Sequence, residues 1–202
     1  MFPILSSFAT LFTEGRVDVP KNSRIAFALA SLGVRHGCPH CKGVLARCFL
    51  GGIGCDESIV VAKYLAEKSA SAGSRYGHFV LGYLAYDIGH IELAKYHWQI
   101  AADLGLAVAQ VNLGMLFLNE SHALRLTIED DQGSERAALD SLILEADAFD
   151  LFIEACKKGH PKAWQELGVM YFHGIYVALN MDKASACFKR SRKAGNVELL
   201  LA

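Results

Sequence analysis

The sequence of 202 residues carries a formal net charge of −1, has a pI near 6.7, and shows no basic stripe of the kind that nucleic-acid-binding domains need. Its mean hydropathy is high, at +0.25, but no run reaches the roughly 18 apolar residues that are needed to cross a bilayer. We therefore predict neither nucleic-acid binding nor a membrane-spanning helix.

The predicted elements of the first half are all helices. Asn22 or Ser23 is expected to cap the second helix and Asp56 the fourth, since short polar side chains accept hydrogen bonds from first-turn N–H groups. The fifth and sixth helices are joined by almost no loop. The spacing of apolar residues predicts these six helices at about 4–13, 24–36, 39–50, 57–72, 75–87 and 90–104.

The second half begins with a predicted helix at 107–118, which is followed by an insertion at about 119–147. We expect residues 119–133, which include three consecutive acidic residues, to form a mobile loop. The apolar stripe that follows predicts one long helix at about 135–158. Pro161 begins the next helix, because a proline in the first turn loses no hydrogen bond. The tail at 197–202 is predicted as a further short helix.

A repeated spacing of small residues runs through these helices. In the second helix of each pair, an alanine is followed eleven residues later by a glycine that is placed to end the helix. In the first helix, a large residue stands beside a small one, as in Leu45-Ala46, Leu113-Gly114 and Leu167-Gly168. The alanine and glycine pairs are Ala26/Gly37, Ala62/Gly73, Ala94/Gly105, Ala148/Gly159 and Ala184/Gly195.

This pattern resembles the Sel-one-like repeat, a relative of the tetratricopeptide repeat. The resemblance implies an all-α fold, a right-handed α/α solenoid of about five helix-pair repeats, and it covers nearly the whole chain. We therefore predict a single domain over residues 1–202. The resemblance also implies a scaffold or adaptor role without catalytic activity.

In the related tetratricopeptide fold, side chains of the first helices line an inner groove that binds partners. The same register, carried over by resemblance, predicts an apolar row on this groove. An alternative is that the inserted helix or the C-terminal tail covers this row. The candidate partner-binding residues are Arg47, Leu50, Phe79, Tyr83, Tyr86, Val111, Met115, Leu118, Val169 and Phe172.

The segment Cys38-Pro39-His40-Cys41 has the spacing of a disulfide-exchange motif. That chemistry requires a strand before the motif and a helix after it. Here a helix precedes the motif, and Pro39 aligns with Pro161 of a later repeat. We therefore interpret the motif as the turn between two repeats.

Zinc binding is a second possible role for the cysteines, because Cys38, Cys41, Cys48 and Cys55 are spaced closely. However, Cys41 and Cys48 lie seven residues apart on one helical face, where free cysteines usually pack in a core. We expect core packing, with no bound metal.

The leading functional hypothesis is a non-enzymatic scaffold or assembly subunit without a cofactor, which binds a partner helix, a peptide or neighbouring subunits through the groove. One alternative is a metal-binding or redox-active protein that uses the Cys38–Cys55 cluster. Another is a purely structural subunit of a large organellar complex. Because Met1-Phe2-Pro3 lacks the basic start of a secretory signal, we expect a soluble intracellular protein of the cytoplasm or an organelle interior.

Overall fold

The computed structural model describes residues 2–14, 21–127 and 135–195 of the chain. Within these ranges the regular structure consists of ten helices and no strand, as the apolar spacing predicts. The helices are α1 (Phe2–Glu14), α2 (Ser23–Arg35), α3 (Pro39–Leu50), α4 (Ile59–Ala70), α5 (Arg75–Asp87), α6 (Ile91–Asp103), α7 (Ala107–Thr127), α8 (Glu135–Lys157), α9 (Pro161–His173) and α10 (Met181–Gly195).

The two predicted helix caps have different outcomes. Asn22 caps α2, and its side chain accepts a hydrogen bond of 3.0 Å from the Ile25 N–H. The prediction that Asp56 caps α4 is wrong. Ser58 is the cap, and its hydroxyl accepts a hydrogen bond from the Val61 N–H. A serine immediately before the apolar run satisfies the first-turn N–H groups, so the helix begins two residues later than predicted.

The repeated alanine and glycine positions have the structural roles that their spacing predicts. All five alanines are buried, with at most 1% of their surface exposed. The glycine that follows eleven residues later has a φ of +73° to +79° in four copies, namely Gly37, Gly73, Gly105 and Gly159. This left-handed conformation ends each helix at low cost, because glycine has no β-carbon to clash.

The described helices form two compact units. Unit 1 contains α1 to α6 and ends at Leu106, and unit 2 contains α7 to α10 and begins at Ala107. In unit 1, each helix packs on the next, and the first helices of successive pairs also pack side by side, α1 on α3 and α3 on α5. This arrangement places α1, α3 and α5 in one layer.

Unit 2 is built on a long hairpin of α7 and α8, followed by the pair α9 and α10. The long helix α8 confirms the prediction for 135–158. The predicted loop is wrong for residues 119–127, which continue α7 to Thr127. The remaining loop residues, 128–134, and the predicted tail helix at 197–202 lie outside the described residues.

The extension of α7 is held by a buried polar network with α8. The Ser121 hydroxyl donates to Glu145 Oε1 at 2.8 Å and lies 3.0 Å from the Ser141 hydroxyl. Arg125 Nη2 forms an ion pair with Glu145 at 2.7 Å. Glu145 is only 2% exposed, and a buried carboxylate requires such partners. These contacts explain why a polar segment with weak periodicity is helical.

Candidate partner-binding surfaces

The surface of unit 1 predicted to bind a partner lies on the layer of first helices. Tyr83 and Tyr86 on α5 are each 43% exposed. The Tyr86 ring lies 5.4 Å from that of Trp98 on α6. Trp98 in turn is buried and donates its indole N–H to the Phe79 carbonyl oxygen at 3.2 Å. Both tyrosines therefore expose aromatic surface, and the Tyr86 ring lies against a buried tryptophan.

Helix α3 lies close beside α5 in this layer. A β-carbon added at Gly43 would lie 2.6 Å from the Tyr76 β-carbon and 2.7 Å from the Gly77 backbone nitrogen, so the two backbones approach closely. The predicted residues Arg47 and Leu50 are half-buried on α3. The Arg47 guanidinium lies 5.8 Å from the centre of the Phe79 ring, in cation–π geometry.

In unit 2, Met115 on α7 is 37% exposed and Phe172 on α9 is 41% exposed. Leu118 and Val169 are half-buried, and Leu118 packs against the core of the unit. Among the described residues, Met115 and Phe172 therefore remain partly exposed beside α8. The C-terminal tail, which the alternative also named as a cover, lies outside the described residues. Met115 and Phe172 provide a second candidate surface, which belongs to unit 2 alone.

Two predicted residues are not accessible to a partner. Phe79 is 6% exposed and Val111 is 2% exposed. Val111 belongs to the buried cluster that includes Phe152 of α8 and Met170 of α9. The prediction of a surface role is therefore wrong for these two side chains. They lie on the expected face of their helices, but neighbouring helices pack over that part of the face.

The cysteine motif occupies the turn between the first two repeats, as its alignment predicts. Cys38 is the N-cap of α3, and its sulfur accepts a hydrogen bond of 3.3 Å from the Cys41 N–H. Burial raises the pKa of the Cys41 thiol to about 12, with a further contribution from its hydrogen bond to Cys38. Burial likewise raises the pKa of Cys48 to about 11. Thiols in this state remain protonated near neutral pH and are poor nucleophiles.

The zinc hypothesis receives no geometric support from the described part of the chain, where no three His, Cys, Asp or Glu side chains come together to hold a metal ion. Cys41 and Cys48 are fully buried. Their role as small core residues is confirmed.

Among the described residues, no helix is both long and apolar enough to cross a bilayer.

A polar cleft of about 270 Å³ opens among α1, α3 and α5 of unit 1, and sequence reasoning did not find it. His40 and Arg75 lie in this cleft. The His40 Nδ1 atom lies 3.0 Å from the Ser74 hydroxyl, and Arg75 Nη2 lies 3.3 Å from the Tyr76 hydroxyl. The signal in the sequence was a basic residue in the first turn of α3, His40, and another in the first turn of α5, Arg75.

A histidine pair joins α5 to α6 and was also missed. The Nδ1 atoms of His78 and His97 lie 3.1 Å apart. Burial lowers the pKa of both rings, and the neighbouring His78 lowers that of His97 further. Their separation of nineteen residues becomes a contact only when α5 and α6 pair.

Comparison with known proteins identifies the repeat. The Sel1 repeat model matches residues 9–38, 44–74, 76–106, 145–160 and 165–196. No curated protein sequence matches the chain significantly.

Solved structures share the fold at low sequence identity. A Sel1 repeat protein from Oxalobacter formigenes is 19% identical with a TM-score of 0.61, over 97% of this chain and 72% of that one. The immunity protein Pa5087 from Pseudomonas aeruginosa is 18% identical with a TM-score of 0.53, over 94% of this chain and 64% of that one. At these identities the likeness establishes a common α/α solenoid fold.

Proposed function

Because the chain belongs to the Sel1 repeat family, we propose that it is a non-enzymatic scaffold or assembly subunit that holds a segment of a partner protein against its first helices. Sel1 repeats are generally protein–protein interaction modules, and proteins that contain them are typically adaptors without catalytic activity. The partner segment is a helix or an extended peptide.

The observation that carries this proposal is the exposure of Tyr83 and Tyr86 on one face of α5. Both residues remain 43% exposed, although Trp98, against which the Tyr86 ring lies, is buried. Tyrosine is enriched at interfaces because its rigid ring offers a large contact area at a low cost in conformational entropy. In unit 2, Met115 and Phe172 offer the same kind of accessible apolar side chain.

The test uses the tagged full-length chain, expressed in the organism that encodes it, with co-purifying proteins quantified by mass spectrometry. One variant carries Tyr83→Ala and Tyr86→Ala, and a second carries Met115→Ala and Phe172→Ala. We expect each to lose a specific partner, because truncating an interface anchor costs about 1–3 kcal/mol of binding. Thermal melting should change little, since exposed side chains contribute little to stability.

The matched control is a variant with Tyr64→Ala and Tyr96→Ala. These tyrosines are 59% and 61% exposed, but they lie on the second helices α4 and α6 of the same unit. The control should retain the partner. If the control and the Tyr83/Tyr86 variant lose the same proteins to the same extent, binding is not specific to the first helices. If the Tyr83/Tyr86 variant instead unfolds early, those rings have a structural role.

A further inference from the structure

The cleft among α1, α3 and α5 has the chemistry of an anion site. The residues that line it include Ser6, Ser7, His40, Arg75 and Tyr76. Hydroxyl, imidazole and guanidinium groups can all donate hydrogen bonds. All five residues belong to unit 1, and none of them is among the residues predicted from the repeat register.

The Arg75 guanidinium has no carboxylate partner among the described residues. Its Nη1 donates to the Leu104 carbonyl oxygen at 3.3 Å, and Nη2 lies 3.3 Å from the Tyr76 hydroxyl. The guanidinium carbon also lies 5.1 Å from the centre of the Tyr76 ring. These contacts hold the side chain in place, and none of them comes from a carboxylate of the described residues. A half-buried arginine held in this way is prepared to bind a carboxylate.

The first turn of α5 adds to this preference. Ser74 is the N-cap of α5, but its side chain makes no capping hydrogen bond and instead contacts His40. The first-turn N–H groups therefore have no side-chain acceptor from the cap. Helix N-termini favour negative charge, so the helix and Arg75 act in the same direction.

Charge on α3 and α5 is biased in the same sense, whereas the other first helix of unit 1, α1, carries Glu14 and no basic residue. Helices α3 and α5 carry a single carboxylate, Asp87, at the last residue of α5. The second helices α4 and α6, in contrast, carry both signs. The lysine and arginine side chains on α3 and α5 are Lys42, Arg47 and Arg75.

The cleft and the aromatic surface share one face of α5, with the buried Phe79 between them. Arg75, Phe79, Tyr83 and Tyr86 follow one another at steps of four, four and three, which places them on one face of the helix. At 1.5 Å per residue, the eleven residues from Arg75 to Tyr86 span about 16 Å. An extended peptide covers that distance with about five residues.

We propose that this cleft binds a carboxylate of the partner segment, so that unit 1 recognises acidic peptides. The carboxylate contacts Arg75, and apolar side chains about five residues away contact Tyr83 and Tyr86. This inference rests on the proposed function and specifies the charge of the partner. Either an Asp or Glu side chain or a C-terminal carboxylate supplies the same chemistry.

The test begins with a random dodecapeptide library, displayed with free carboxyl ends and selected on the full-length chain. The consensus peptide is then synthesised, and its Kd is measured by fluorescence anisotropy. We expect acidic residues to be enriched at a fixed distance from apolar residues. Arg75→Gln should raise the Kd about 10-fold or more, because a hydrogen bond to a charged group contributes about 1.5–3 kcal/mol. Arg75→Lys should raise it less.

Peptide variants identify the source of the carboxylate. If an Asp or Glu side chain supplies the carboxylate, replacing the acidic side chains by amides should reproduce the rise in Kd seen with Arg75→Gln. If the C-terminus supplies it, amidating the C-terminus should reproduce that rise instead. Binding to the wild-type chain should weaken in high NaCl, and this salt dependence should shrink in Arg75→Gln. Lys63→Gln on α4 is the matched control, because it removes one positive charge from the exposed surface of the same unit and should leave the Kd unchanged.

The outcomes separate this inference from the proposed function. Selected peptides without acidic preference, whose Kd depends on Tyr83 but not on Arg75, would overturn the inference and leave the scaffold function standing. Selected peptides whose Kd depends on neither Tyr83 nor Arg75 would overturn both the inference and the proposed function. Failure to select any acidic peptide also overturns the inference. A melting temperature of Arg75→Gln close to that of the wild type confirms that a changed Kd reflects binding rather than unfolding.

Discussion

Gly168 of α9 lies directly against the ring of Phe188 of α10. A β-carbon added at Gly168 would lie 2.6 Å from Phe188 Cε1, closer than two carbon atoms can approach without a clash. The same relationship recurs in two other repeats, between Gly82 and Trp98 and between Gly114 and Phe152. In every case the aromatic residue follows the buried alanine of the second helix by four positions.

The first two repeats fill the equivalent space differently. Their small residues are Ala9 and Ala46, and the facing positions on the second helices are Ala30 and Ala66, all with no exposed surface. Where the first helix has alanine instead of glycine, the second helix thus has alanine instead of an aromatic residue. Close packing requires this complementarity, because an interior tolerates neither overlap nor a void.

The first prediction concerns this complementarity. Gly168→Ala should destabilise the protein by about 1–3 kcal/mol through overpacking, although alanine is the better helix former. Adding Phe188→Ala to Gly168→Ala should create the alanine pair found in the first two repeats. The double variant should therefore be more stable, by about 0.5–3 kcal/mol, than the sum of the two single-variant effects predicts. Urea unfolding of all four chains measures this coupling. Additive effects would contradict the contact, and Gln165→Ala on the exposed face of α9 is the control.

The second prediction concerns the histidine pair. Burial lowers the pKa of His78 and His97 below the ordinary value of 6.5, so the folded state favours neutral rings. The stability that they contribute is therefore fully present above pH 6.5 and is lost as the pH falls through their folded-state pKa values. Thermal melts from neutral pH to about pH 5 should show a smaller decline in stability for a variant with His78→Gln and His97→Gln than for the wild type.

A matched control for that experiment is His122→Gln, because His122 is an exposed histidine of α7. Its melting temperature should follow that of the wild type at every pH. A double variant whose pH dependence equals that of the wild type would show that other groups govern acid destabilisation.

The third prediction concerns the polar network of the long hairpin. Arg125→Met should destabilise unit 2 by about 1–3 kcal/mol, because it leaves the buried Glu145 carboxylate without its ion-pair partner. The effect is smaller than for a fully buried pair, since the Arg125 side chain is 55% exposed and Ser121 still donates to Glu145. Protease cleavage within 119–127 should increase as the end of α7 frays. The control is Arg136→Ala, since Arg136 is 88% exposed and lies 3.9 Å from Asp140; such surface pairs contribute about 0–1 kcal/mol. Equal effects of the two variants would argue against a stabilising network.

The fourth prediction concerns thiol reactivity. Iodoacetamide applied to the folded protein should modify Cys55 first, because it is the cysteine that remains partly exposed. Cys41 should react only after unfolding, since burial raises its pKa to about 12 and shields the sulfur. Peptide mapping by mass spectrometry gives the order of labelling. Ready formation of a Cys38–Cys41 disulfide in the folded protein would instead favour the redox alternative.

The sequence alone determined the helices and their repeated register. Apolar spacing and helix-ending glycines such as Gly37 and Gly159 act over a few residues, so their effects can be read locally. The same local logic predicted that α5 and α6 are joined by a short turn and that Cys41 packs in the core.

Only the tertiary structure decided the features that depend on contacts between residues far apart in the sequence. Residues 119–127 are helical because Arg125 meets Glu145 on the next helix, and Val111 is buried because α8 and α9 pack around it. The cleft near Arg75 exists because α1, α3 and α5 lie side by side. Hydrogen bonds and burial between separate helices depend on which side chains meet in space, and no spacing within one helix specifies that meeting.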